Sequence, residues 1–223
     1  MFSRSLSVMV CMAAALLAAA CVSHVDVTPR PEVKGDERLL VLPFVDMAML
    51  HGENAVVRSP VTGKVFETGP VEEDASGVLN EHLLSQVRSR TGFNPVPVTE
   101  AGDLLASLRD MRESGQSEIR ALVSAGRSAR ADLVMAGYLY RFKRRIGGNF
   151  SVESPASVAF ELHLIQVEDG QVLWTGTFDE TQKSLSENLM ELGTFIRRGA
   201  KWVTAEQLAL PAIDDMISTL VSP

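Results

Sequence analysis

Cysteine is nearly missing: among 223 residues only Cys11 and Cys21 occur. Cys11 lies in an N-terminal apolar stretch that is expected to be removed, so the working chain has no disulfide, no paired thiolates and no cysteine metal site. Histidine is scarce as well. The four, at positions 24, 51, 82 and 163, form no HExxH and no pair at helical spacing; His24 falls in a linker and His82 on a helix face, where a structural or solvated role fits better than metal ligation. There is no GxSxG, SxxK or GxGxxG, which removes the nucleophile elbow and the dinucleotide fingerprint. Thr62-Gly63-Lys64 has the ending of a phosphate loop, but Arg58 stands where the first glycine is required and Val65 where Ser or Thr belongs. Positive charge is in deficit, with 21 Lys and Arg against 28 Asp and Glu, a formal net of −7. Such a surface repels phosphate on average and argues against a nucleic-acid partner. No cofactor is implied, and no catalytic residue can be named.

A long apolar run is also lacking. Val8 to Val22 is free of charge but shorter than the roughly 20 residues that span a bilayer. Preceded by Arg4 and ending in small residues, it has the three parts of a secretory signal, here residues 1–20. Ala18-Ala19-Ala20-Cys21 resembles the lipobox of bacterial lipoproteins, departing from it where Ala18 replaces the usual leucine. The resemblance implies cleavage before Cys21 and acylation of that cysteine, palmitate included. Several acyl chains make a firm membrane anchor where a single one is marginal. The competing reading is ordinary cleavage at the same place, leaving an unpaired thiol in an oxidising compartment. Val22 and Ser23 are not the aspartate that keeps Gram-negative lipoproteins at the inner membrane, so the expected location is the outer membrane, facing the periplasm.

Residues 21–37 then read as the lipidated cysteine and a flexible tether, because "VSHVDVTPRPEVKGDE" mixes prolines with charge and shows no apolar period. Residues 38–223 read as one α/β domain, large enough to bury a sizeable core. Arg38 to Asp46 predicts a buried strand, with Pro43 at its end or edge. Residues 47–73 form a long connection in which Lys64 to Glu67 suggests a small hairpin. From Asp74, Val78, Leu79, His82, Leu83, Gln86 and Val87 recur at helical spacing until Thr91-Gly92. Phe93 to Val98 is a proline-flanked strand. Thr99 caps a helix to about Arg112, and Ser117 caps another whose buried stripe is Ile119, Leu122 and Val123. Leu133 to Phe142 is too apolar for the surface. The alternation of Val158, Phe160, Leu162 and Leu164 resumes after Asp169-Gly170 with Val172, Trp174 and Phe178, which predicts a hairpin over about residues 157–179 closed by a type I′ turn. Helical stretches follow at Leu185 to Arg198 and Thr204 to Val221, the second opened by a Thr204/Gln207 capping box and kinked or split at Pro211. This order describes a mixed β-sheet packed by helices.

Three segments, "RLLVLPF", "SARADLVMAGYLYRF" and "LHLIQVEDGQVLWTGTF", resemble a superfamily of periplasmic lipoproteins that includes the curli secretion channel, the lipoprotein activators of penicillin-binding proteins and the amino-terminal domain of the Tol propeller protein. Ala131-Asp132-Leu133-Val134 with Gly137 matches its strand entry, and Gly170 with Trp174 its hairpin. The resemblance implies an accessory or assembly role at the envelope, not enzymatic, exercised through an unidentified protein partner or a homo-oligomer. A peptidoglycan or small-ligand binding protein or hydrolase is the alternative. A secretion pore is the third, though residues 47–73 and 141–157 lack the paired alternating runs that a transmembrane barrel needs. Candidate partner-binding residues are the cations Arg141, Lys143, Arg144 and Arg145, with a second basic group at Arg197, Arg198 and Lys201; charge compensation at a strand end and a helix C-terminus is the competing explanation. Trp174 is a candidate anchor that its alternation with Val172 also places in the core. Glu72-Glu73 and Asp214-Asp215 are read as solvated charge.

Overall fold

The computed structural model describes residues 25–28, 33–96, 117–147, 152–182 and 203–220. The expected helices at 99–112 and 185–198, Cys21, His24 and the second basic group all lie outside them.

Alternation of apolar residues on both sides of Leu133–Lys143 (β7) and Ser157–Gln166 (β10) makes these strands apolar enough to be buried on two faces, and they form the middle of the sheet. The order across it is β1 (Asp26–Val27), β11 (Val172–Thr181), β10, β7, β2 (Arg38–Val41) and β6 (Asn94–Pro95), with β3 (Val45–Asp46) pairing β7 beyond the end of β2. β2 runs parallel to β6 and β7, whereas β7, β10, β11 and β1 are antiparallel. The mixed sheet read from the sequence is therefore present. The expected strand over Arg38 to Asp46 divides at residues 42–44, where Pro43 supplies no amide for a ladder bond. Asp132 clips the start of β2 to β7: its carboxylate accepts from the Arg38 amide at 2.9 Å. Gly137 leaves room for the Phe44 ring, since a Cβ there would stand 2.6 Å from it.

On one face pack α2 (Ala75–Arg90) and α4 (Ala205–Ser218), which bring Ala75, Leu79, Leu83, Val87, Leu208, Ile213 and Met216 onto Leu39, Met135, Phe160, Leu162 and Trp174. On the other lie α3 (Glu118–Ser128), the short α1 (Met47–His51) and a hairpin of β4 (Val56–Arg58) with β5 (Val65–Glu67), which cover Val134, Tyr138, Tyr140, Ala159 and Ile165. A further two-stranded pair, β8 (Ile146–Gly147) with β9 (Val152–Ser154), follows β7.

Several local expectations are revised. The stretch read as tether contributes β1, because Asp26 and Val27 pair with Thr177 and Gly176 at the edge of β11. The Asp169-Gly170 connection is longer than a type I′ turn. The Gln166 amide donates to the Gln171 carbonyl, leaving four residues in the loop with only Gly170 at positive φ (77°), so Asp169 need not adopt the left-handed region. Ser117 makes no side-chain cap, and the stripe on α3 is Ala121, Leu122, Ala125 and Gly126, with Ile119 and Val123 only partly buried. Small residues win there because α3 sits close to the sheet: a Cβ at Gly126 would meet Val167 and Val134. α4 keeps its Thr204/Gln207 capping box but runs through Pro211 without a break. The lost amide and ring clash, worth about 3 kcal/mol, are offset by burial of Leu208, Ala209, Ala212, Ile213, Met216 and Ile217.

Candidate functional site

The sequence places two ionisable residues, Glu161 and His163, on the same side of β10, and the β4–β5 hairpin lies across that side. Its inward residues Val57 and Phe66 seal it; the Phe66 ring stacks on Tyr140 at 4.0 Å and 7°. Beneath the tip of the hairpin both Glu161 and His163 are fully buried. A buried carboxylate needs donors, and Glu161 has them. Thr62 Oγ1 and Thr177 Oγ1 donate to Oε1 at 3.2 and 3.4 Å, and the Tyr140 hydroxyl donates to Oε2 at 3.0 Å. His163 Nδ1 pairs with Thr175 Oγ1 at 3.0 Å, while Nε2 faces Glu161 Oε2 at 3.5 Å without forming a hydrogen bond of normal geometry. Burial alone would push the Glu161 carboxyl up; the His163 imidazole and the hydroxyls of Ser59 and Tyr140 outweigh it and hold the carboxyl below its ordinary value. Burial, then the Glu161 charge, drives the Tyr140 hydroxyl strongly upward, so it stays a proton donor. Sealed in this way, both side chains are closed to solvent. What the cluster does is bond the hairpin tip to the centre of the sheet. The Thr-Gly-Lys tripeptide that mimicked a phosphate loop is that tip.

Beside the hairpin runs a cleft of about 380 Å³ bordered by Asn54, Thr68, Arg141, Lys143, Ser157 and Asp179. A β-bulge where β7 and β10 change register turns Arg141 toward it. The Arg141 guanidinium is held on three sides: it donates to Ser157 Oγ, to the Glu67 carbonyl at 2.9 Å and to Asp179 Oδ1 at 2.6 Å. Its charge is matched inside the molecule and its plane is fixed.

The cations read as one patch are therefore divided. Arg141 and Lys143 border the cleft. Arg144 instead joins the starts of α2 and α4, donating to both Asp74 carboxylate oxygens at 2.9 and 2.7 Å and to Glu206 Oε1 at 2.9 Å. The Arg144 bond holds the Asp74 carboxyl below its usual range. Arg145 is also engaged in an intramolecular interaction. Strand period 2 would put Arg141 and Lys143 on one side and Arg144 beyond the strand end, so sequence adjacency did not make a common face. Trp174 is fully buried and donates Nε1–H to Thr219 Oγ1 at 3.0 Å, so it is a core residue and not an exposed anchor. His82 Nε2 lies 2.8 Å from Asp214 Oδ1, tying α2 to α4. His51 ends α1 in solvent. Glu161 and His163 were missed as a pair because alternation with apolar residues marks a half-buried strand, and nothing local announces the hairpin that covers its second face.

No family model and no curated protein matches the sequence. Solved structures do. A dodecamer of a PelC variant from Paraburkholderia phytofirmans is 15% identical and superposes with a TM-score of 0.51, covering 91% of this chain and all of that one. The C-terminal domain of LpoB from Salmonella enterica is 15% identical over 69% of this chain and 88% of that one, with a TM-score of 0.39. Lipoprotein GNA1162 of Neisseria meningitidis is 13% identical over 74% of this chain and 98% of that one, with a TM-score of 0.37. The chain has the mixed α/β fold of PelC.

Proposed function

We propose that this chain is an outer-membrane lipoprotein, anchored through Cys21 and facing the periplasm, that serves as a non-enzymatic accessory or assembly factor of the bacterial envelope. The observation that carries the reading is the conjunction of a lipobox-like Ala-Ala-Ala-Cys with a fold shared, over 91% of the chain, with PelC. The internal use of polar groups supports it: Arg141, Arg144 and Glu161 direct their hydrogen bonds to other parts of the fold. A role through protein contacts asks for surfaces, and the molecule's own charges are arranged to make rigid ones.

A second reading has its own observation. PelC is solved as a dodecamer, which favours a homo-oligomer of this chain as the form in which it works. Crosslinking in intact cells, purification in detergent and identification of the attached chains by mass test both. A distinct envelope protein recovered in stoichiometric amount supports the accessory role, and a closed ring of copies supports the oligomer. A monomer that hydrolyses peptidoglycan contradicts the proposal.

A further inference from the structure

The place where the anchor leaves the fold can be identified, because β1 removes most of the tether. From Cys21 to Asp26 is five residues, a reach of about 18 Å at full extension. Asp26 is fixed in the sheet against Thr177 and lies 3.5 Å from Lys64 Nζ, at the tip of the β4–β5 hairpin. The point where the chain leaves the fold toward its anchor is thus at the edge of the sheet, beside the tip of that hairpin, with Val25 packed on the core under α2 and α4.

The face that adjoins this point, covered by α1 and the hairpin, carries most of the exposed large apolar side chains among the described residues. Met49 is 85% exposed, Leu50 60%, Val56 76% and Val65 50%. The hairpin register makes the last two neighbours: Val56 pairs with Glu67 and Arg58 with Val65, so Val56 and Val65 are diagonal on the outer side. Met47 and Phe66, their inward counterparts, are in one core cluster, which places α1 and the hairpin on one side of the sheet. Arg58 and Glu67 share the outer side of the hairpin with Val56 and Val65, and Lys64 lies at its tip near Asp26; the apolar side chains suit the boundary between acyl chains and headgroups, where aliphatic parts bury and the two cations reach phosphate.

We infer that the α1 and hairpin face of this protein rests on the lipid bilayer, with Met49, Leu50, Val56 and Val65 at the headgroup boundary. The inference rests on acylation of Cys21 as proposed above. It goes further in fixing the orientation: β6, α2 and α4 are turned away from or along the membrane, and the short leash keeps the fold from reaching across the periplasm.

The sequence makes the test clean, since Cys21 is the only cysteine beyond residue 11 and acylation consumes its thiol. Full-length protein purified with its acyl chains is reconstituted into vesicles of phosphatidylethanolamine and phosphatidylglycerol. Single cysteines are introduced as Val65→Cys, Met49→Cys and, on the opposite face in α2, Ser85→Cys, and each is labelled with an environment-sensitive dye. Quenching by lipid-borne nitroxide is expected to be several-fold stronger at 65 and 49 than at 85, with blue-shifted emission at the first two. Equal, weak quenching at all three on a chain whose mass shows the acyl groups overturns the orientation and leaves the anchor standing. A mass without acyl groups overturns both. Blue-shifted emission at 65 without lipid quenching, together with thiol crosslinks between copies, gives this face to a second copy and also overturns it.

Discussion

Glu161→Gln removes one charge from the sealed cluster and almost no volume. In the native protein the carboxylate accepts from three hydroxyls and faces the His163 ring. Hydrogen bonds to a charged acceptor are worth about 1.5–3 kcal/mol each against about 0.5–1.5 for neutral ones, and removing one partner of a buried pair costs about 3–5 kcal/mol. The hydroxyls can turn to serve the amide in part, so a loss of about 3 kcal/mol is expected, and in urea the midpoint should fall by about 1 M or more. The pH dependence has a definite sign. The folded Glu161 carboxyl lies below its ordinary value, so its contribution is complete above the unfolded pKa and fades as pH drops through the folded one. The wild-type protein should therefore lose stability below the ordinary carboxyl range more steeply than Glu161→Gln. Glu161→Leu combined with His163→Leu should be less damaging than the sum of the two single changes, since neither partner is left alone. Urea unfolding followed by circular dichroism between neutral and acid pH reads all of this. A Glu161→Gln protein with the wild-type midpoint at pH 7 refutes the reasoning, and so does additivity in the pair.

Phe66→Ala removes the ring stacked on Tyr140 and should cost about 3–5 kcal/mol, with protease cleavage appearing first within residues 56–67 while the central strands stay protected from hydrogen exchange. Gly137→Ala drives a methyl into Phe44 and should destabilise by about 1–3 kcal/mol, seen as a lower melting temperature, with recovery when Phe44 is shortened to Leu. Pro211→Ala restores the missing amide in α4 and should raise stability by about 1–3 kcal/mol, a gain that fails to appear if the helix is already relaxed around the ring.

The central hairpin was legible because apolar residues alternate along each of its strands on either side of Asp169-Gly170, and the mixed order because strand and helix periods are distinct along the chain. What the sequence could not disclose is where pairing is made by partners far away. Asp26-Val27 has no strand signature of its own and is ordered by the free edge of β11. Arg144 sits next to Arg145 and Lys143 in the chain, yet its contacts are Asp74 and Glu206, 70 and 62 residues away. The Ile119 and Val123 stripe lost to Ala121, Ala125 and Gly126 because the distance between helix and sheet, which no local pattern encodes, selected small residues. Pro211 stays inside a helix because one face of α4 is buried along its whole length.

Everything proposed about place and orientation depends on Cys21. The most direct measurement is the intact mass of the chain recovered from membranes, taken beside cell fractionation of Cys21→Ser. The account predicts a mature chain that begins at Cys21 and carries several acyl groups, with the serine variant released from the membrane fraction. An unacylated chain, or a serine variant that stays as firmly in the membrane fraction as the wild type, contradicts it.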